Sequence, residues 1–270
     1  MPFRRTLYRS KLAVPTLVLM LSLAGCADDG VVWDTPQNPV SGNWQVSAAS
    51  GSVPLPQVSG SLTDGAVNLG STPVTGIFHA DATTGCATST DLISLTGTTN
   101  SQGVTTLTGP VAGGTLTVTG TLSADGRSLG NATMNVSGGQ CAFGTAAQAS
   151  VQNYSSVTGN YAGTFSDAKG PVMNVTATLT QSTTGDTNGN FTLSGTGSFG
   201  TNPCFISPVP VVNSQVTGGN FILTYTDNTT GNSVTATGTF SADGTTLTVT
   251  NWSLTGPCGA DQGIGTLTQQ

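Results

Sequence analysis

Moving a proton, attacking a carbonyl or holding a metal requires side chains from a short list, and this chain draws on little of it. His79 is the single histidine in 270 residues, and there is no glutamate. A serine nucleophile needs a base within hydrogen-bond reach. His79, just after Ile77-Phe78 on a predicted strand, is the one imidazole on offer, and it is read as a surface or loop histidine. The twelve acids are all aspartates. Carboxylate pairs can run glycoside hydrolysis, but Asp64-Gly65, Asp125-Gly126 and Asp243-Gly244 are turn dipeptides, in which the carboxylate bonds its own backbone. Asp186-Thr-Asn188-Gly-Asn190 sets oxygens at alternate positions, as a calcium loop does. Phe191 stands where that loop needs glycine, and no acid closes it at the twelfth position, so a hairpin tip fits better. The sequence therefore assigns no catalytic, cofactor-binding or metal residue.

The elements behind these side chains are strands, and they occur twice. Ser41-Gly-Asn-Trp44 returns about 117 residues later as Thr158-Gly-Asn-Tyr161. Gly120-Thr-Leu-Ser-Ala-Asp-Gly126 returns as Gly238-Thr-Phe-Ser-Ala-Asp-Gly244, and Cys86 and Cys141 return as Cys204 and Cys258. Two homologous domains follow, residues 41–147 and 158–268, joined by a polar linker at 148–157. Within each, apolar residues alternate with threonine: Leu116, Val118 and Leu122 against Thr115, Thr117 and Thr121, then Val234, Ala236 and Phe240 against Thr235, Thr237 and Thr239. That period belongs to antiparallel sheet with one buried and one wet face. Ser-Ala-Asp-Gly is a hairpin, with Gly126 and Gly244 in the left-handed conformation. After each hairpin the alternation slips, which predicts a β-bulge.

Seven or eight short strands per repeat make each domain all-β, a small barrel first and a sandwich second. The Gly42-Asn43-Trp44 opening is similar to the Gly-x-Trp of the lipocalins, whose first strand packs a tryptophan over the closed barrel end. The second copy departs from it with Tyr161. The late arginine of that family has Arg127 as its counterpart, with Thr245 in repeat two. For an immunoglobulin-like sandwich, a tryptophan is missing after Cys86 and Cys204 at the spacing that fold uses.

Upstream of the repeats, Arg4, Arg5, Arg9 and Lys11 precede an apolar run from Leu12 to Leu23. A basic stretch, a short apolar run and small residues at a cut mark a secretory signal over residues 1–25. Its end, Leu23-Ala24-Gly25-Cys26, resembles the lipobox of bacterial lipoproteins. The resemblance implies cleavage before Cys26, acyl chains (palmitate among them) on that cysteine, and membrane anchoring in the cell envelope. Ala27, rather than an aspartate, implies the outer membrane. Residues 26–40 then read as a lipidated flexible tether. Beyond the leader, two basic side chains face twelve aspartates, a formal charge of −10. Nucleic acid needs many basic contacts and is excluded as a partner.

An exported chain meets an oxidising compartment, so the four remaining cysteines are expected to pair within each repeat, Cys86–Cys141 and Cys204–Cys258. Closing a loop of about 55 residues contributes roughly 4 kcal/mol in the chain-entropy model. Functionally the sequence points to a non-catalytic surface or periplasmic module that binds an envelope protein or glycan, or acts structurally. A lipocalin-like carrier of a small apolar ligand is the alternative, and an aspartate-dependent hydrolase the third reading. No cofactor is implied.

Overall fold

Threonine on the wet face and an aliphatic side chain on the dry one, strand after strand, close into two barrels in the computed structural model, which describes residues 39–49, 53–168 and 170–270. The leader, Cys26 and nearly all of the expected tether lie outside the described residues.

Barrel one consists of β1 (Gly42–Ala48), β2 (Gln57–Asp64), β3 (Ser71–Ala80), β4 (Leu92–Asn100), β5 (Val104–Val111), β6 (Gly114–Leu122), β7 (Ser128–Ser137) and β8 (Ala147–Tyr154). Each strand runs antiparallel to the next, and β8 returns to pair with β1. Barrel two repeats the plan with β9 (Gly159–Asp167), β10 (Gly170–Gln181), β11 (Phe191–Ser198), β12 (Val209–Thr217), β13 (Asn220–Asp227), β14 (Asn232–Phe240), β15 (Thr246–Thr255) and β16 (Asp261–Gln269), closed by β16 against β9. Barrel, not sandwich, is the architecture, and among the described residues closure pairs every strand on both sides.

The expected linker at 148–157 needs correction, because most of it is β8. Its polar composition hides an alternation in which Ala147, Ala149 and Val151 turn inward while Gln148 and Ser150 face water. Without this strand both β7 and β1 would expose open edges. Repeat one therefore extends to Tyr154, and only residues 155–158 join the barrels.

The expected bulges are present. Thr119 pairs with Thr133 and Thr121 with Gly130, so Gly120 faces both Asn131 and Ala132, and Asn131 takes φ 50°. In β15 the pairs Thr237 with Asn251 and Gly238 with Val249 leave Thr250 over. Beyond each bulge the apolar residues point inward again, Met134 and Val136 in one barrel, Trp252 and Leu254 in the other. Gly126 and Gly244 take φ 71° and 77° in their hairpins, as their Asp-Gly setting requires.

Large side chains occupy both interiors. Trp44, Phe78, Ile93, Leu95, Leu107 and Leu116 are buried in barrel one, and Tyr161, Phe165, Tyr225 and Trp252 in barrel two. Phe165 stacks on Trp252 with ring centroids 5.9 Å apart. One disulfide staples each barrel, Cys86–Cys141 with Cα atoms 5.2 Å apart and Cys204–Cys258 at 5.9 Å.

Candidate functional site

Strand β2 departs from the one-wet-face rule. Val58 and Leu62 point into barrel one, yet the outward Ser59 and Ser61 are also buried, at 0% and 8% exposure. Barrel two covers them with two glycine turns. A Cβ at Gly218 (φ 53°) would overlap Ser59 Oγ, and one at Gly189 would overlap Ile77 O, so glycine alone permits this approach. Asn43 seals the joint from β1: its Nδ2 donates to Gly218 O at 2.9 Å, and its Oδ1 accepts from Gly218 N at 2.6 Å. Behind it Tyr154 meets Phe240 edge-on with centroids 5.3 Å apart, and Ser155 N donates to Ala242 O at 2.9 Å. Both barrels thereby belong to one compact unit.

Beside this joint lies a cleft of 270 Å³ to which both barrels contribute. Gln57, His79 and Asp81 line it from barrel one, and Asn190, Gln215 and Asn220 from barrel two, with Ile222 at the rim. Asp81 is its anchor. Its Oδ2 accepts from Gln45 Nε2 at 2.8 Å, from Asn220 Nδ2 at 3.0 Å and from Gln57 Nε2. Its Oδ1 is buried and accepts from no described residue. Gln45 in turn accepts from the Tyr154 hydroxyl at 3.1 Å. Burial, reinforced by the charge of Asp81, raises the Tyr154 pKa above its ordinary value and keeps the phenol protonated. Across the cleft, His79 Nε2 lies 3.3 Å from Asn190 Oδ1 and its Nδ1 3.1 Å from Ala80 O. Asn190 Oδ1 also accepts from the Thr217 hydroxyl. His79 is therefore no plain surface or loop residue; it sits on β3 and bridges the barrels.

The turn aspartates divide. Asp125 Oδ1 accepts from Ser123 Oγ at 2.6 Å and from Arg127 N at 3.1 Å, and Asp243 Oδ1 repeats this with Ser241 and Thr245. The serine hydroxyl above all, then the backbone N–H, holds both carboxyls down, Asp243 at about 2. Asp64 differs from the expected turn role: its Oδ2 accepts from Ser41 N at 2.9 Å and Ser41 Oγ at 3.0 Å, fastening the chain where it enters β1. Asp186 Oδ1 accepts from Asn188 N and Asn190 N, the hairpin tip that its spacing predicts. That tip delivers Asn190 to the cleft.

Trp44 is buried on the first strand, its indole N–H donating to Val40 O at 2.5 Å. Arg127 is exposed at the β6–β7 hairpin. A second cleft, of 330 Å³, lies at one end of barrel two between Asp167, Met173, Trp252, Asp261 and the Cys204–Cys258 disulfide. Its two carboxylates are engaged locally, Asp167 Oδ1 accepting from Gly170 N and Asp261 Oδ1 from Gln262 N.

Sequence reasoning missed Asn43, Gln57, Asp81, Asn190 and Asn220 as a group, since they come from five separate strands and loops. One signal was available. The outward positions of β2 are Gln57, Ser59 and Ser61, whereas those of its counterpart β10 include Thr176 and Thr178. Small serines in place of threonines mark a face that another surface approaches closely. Comparison with protein-family models, with curated proteins and with solved structures finds no match.

Proposed function

We propose that the chain is a membrane-anchored exported lipoprotein, lipidated at Cys26 and placed in the bacterial outer membrane, whose two barrels form a non-catalytic module binding an envelope protein or glycan. The joint carries the binding half of this reading. Large described side chains fill both barrel interiors, whereas the cleft between them gathers amide, imidazole and carboxylate groups whose geometry suits holding a ligand. Among the described residues a single carboxylate lines that cleft beside amides, the His79 ring, the Thr217 hydroxyl and the apolar Phe221 and Ile222, and that hydroxyl donates to Asn190 rather than to a base. The leader and Leu23-Ala24-Gly25-Cys26 support the anchoring half. Three acyl chains on one cysteine hold a protein on a membrane, because stable anchoring takes two or more.

The carrier reading is weaker. An eight-stranded barrel fills with side chains unless its inward residues are small, and Trp44, Phe78, Phe165, Tyr225 and Trp252 are large and buried. Labelling cells with radioactive palmitate and separating membrane from soluble fractions tests the anchoring directly. The native chain is expected to carry label and sediment with membranes, while Cys26→Ser is expected to be unlabelled, soluble and disulfide-bonded. A Cys26→Ser variant that stays with the membrane contradicts the reading.

A further inference from the structure

The cleft between the barrels has a chemistry specific enough to name a ligand class. Asp81 presents one oxygen saturated by three amide donors and a second, buried oxygen that accepts from none of the described residues. That second oxygen is closed off from the cleft space, so the part of the carboxylate is to hold the three amides in place. Around it the lining mixes donors with acceptors, some of them already paired with one another. Gln57, Gln215, Asn190 and Asn220 each carry an amide with both, and His79 carries a ring nitrogen of either kind. Adjacent hydroxyls on a ring ask for such a mixture, because each donates one hydrogen bond and can accept up to two.

The lining also says what is refused. Among the described residues it contains no lysine or arginine, and its one formal charge is the Asp81 carboxylate. A phosphate or carboxylate ligand would meet repulsion with nothing to offset it. At the rim Ile222, 39% exposed, supplies an apolar edge against which the C–H face of a ring can lie. The volume of 270 Å³ sits just under the roughly 300–1,000 Å³ of pockets for drug-sized ligands. It has room for one ring and leaves a chain to run out into solvent.

We propose that this cleft binds a single neutral saccharide ring, with the lining amides and His79 pairing its hydroxyls and the Asp81 carboxylate holding Gln57 and Asn220 in position for them. The proposal rests on the binding-module reading above and deepens it. It also gives the joint a purpose: the ring touches both barrels, so the two domains must be locked before the site exists.

The chain has a single histidine, so its imidazole Cε1–H gives one side-chain NMR signal, located in the cleft. The full chain in detergent is titrated separately with glucose, galactose, N-acetylglucosamine and, as a cationic control, glucosamine. At least one neutral sugar is expected to move the His79 signal saturably, with Kd on the order of 1 mM. Asp81→Asn, which keeps the shape and replaces an acceptor with a donor, is expected to weaken that sugar at least tenfold. Gln215→Ala, whose side chain lines the cleft outside the Asp81 network, is expected to weaken it while leaving the unliganded spectrum of the joint in place. A His79 signal unmoved by every sugar overturns the proposal, as does a response to glucosamine alone, which would make the site one for cations. Capture of an envelope protein by a chain that ignores all sugars also overturns it, while leaving the binding-module reading standing.

Discussion

Barrel one carries Trp44 on its first strand and Met134 on its seventh; barrel two carries Tyr161 and Trp252 at the matching places. A second exchange lies deeper. The inward partner of Gly60 on β3 is Phe78, and the matching partner of Ala177 on β11 is Gly197. The partner of Leu116 is Gly109, whereas that of Val234 is Tyr225. A Cβ on Gly197 would press into the Tyr225 ring, so the large residue of barrel two lies over the small one. Bulk has changed places between strands while the sheet stayed the same. Closure depends on alternation and on the total volume inside, and the position of each large residue is free as long as the sum is kept. The outer faces diverge differently. Asn43 and Asn160 fill the same place in the repeat, yet Asn43 grips the backbone of the other barrel while Asn160 accepts from Thr178 on its own wet surface.

The interiors give the largest expected effects. Phe78→Ala in barrel one and Trp252→Ala in barrel two are each expected to cost about 3–5 kcal/mol in urea unfolding, since either leaves a cavity in a filled core. A loss under about 1 kcal/mol at either site would show that its barrel is not packed as described.

The staples should be equal where the interiors are not. Replacing both cysteines of Cys86–Cys141 by serine is expected to destabilise by about 4 kcal/mol, and the Cys204–Cys258 pair by the same amount, because both close loops of nearly one length. A large difference between the two would place residual structure in one unfolded repeat.

The joint comes next. Asn43→Ala leaves the N–H and C=O of Gly218 unpaired in a buried place and is expected to cost about 1–3 kcal/mol. Asn160→Ala, at an exposed copy of the same residue, is expected to change stability by less than about 0.5 kcal/mol. Equal effects would deny that the two asparagines have parted roles.

A smaller effect of opposite sign is expected at Tyr225, whose hydroxyl is buried and accepts or donates no hydrogen bond to the described residues. Burial raises its pKa, so the phenol is neutral at any ordinary pH. Tyr225→Phe removes an unsatisfied polar group without changing shape, and is expected to be neutral or to stabilise by about 1 kcal/mol. Its barrel-one counterpart, Gly109, offers no such gain.

The hairpins give the last comparison. Asp125 and Asp243 both titrate below the ordinary carboxylate range, Asp243 at about 2. A depressed folded pKa means that the stability these turns contribute is complete above the ordinary aspartate value and is lost as pH falls toward about 2. Carboxyl carbon shifts followed by NMR through this range would show Asp243 still ionised at pH 3; titration at an ordinary aspartate value would mean that the Ser241 hydroxyl does not hold it.

Most of the fold was legible because it rests on local repetition. Alternation of threonine with aliphatic residues, the Ser-Ala-Asp-Gly hairpins, the slip after each of them and the paired cysteines all speak within one repeat. Strand β8 escaped because its inward residues, Ala147, Ala149 and Val151, are small and its outward ones are Gln and Ser, a composition shared with linkers. The site escaped for another reason. Asp81 and Asn190 each look like ordinary loop polar residues, and only the docking of one barrel on the other brings them to a common cleft. A duplication announces two domains; it does not announce which face of one will meet which end of the other.

That docking is the central claim, and ¹⁵N relaxation of the released Cys26→Ser chain tests it most directly. If Asn43, His79 and Asp81 hold the barrels as one body, amides of residues 42–154 and 159–269 will report one rotational correlation time, that of the whole unit. Two separate and shorter times, each fitting a lone barrel, would contradict the joint and remove the site that depends on it.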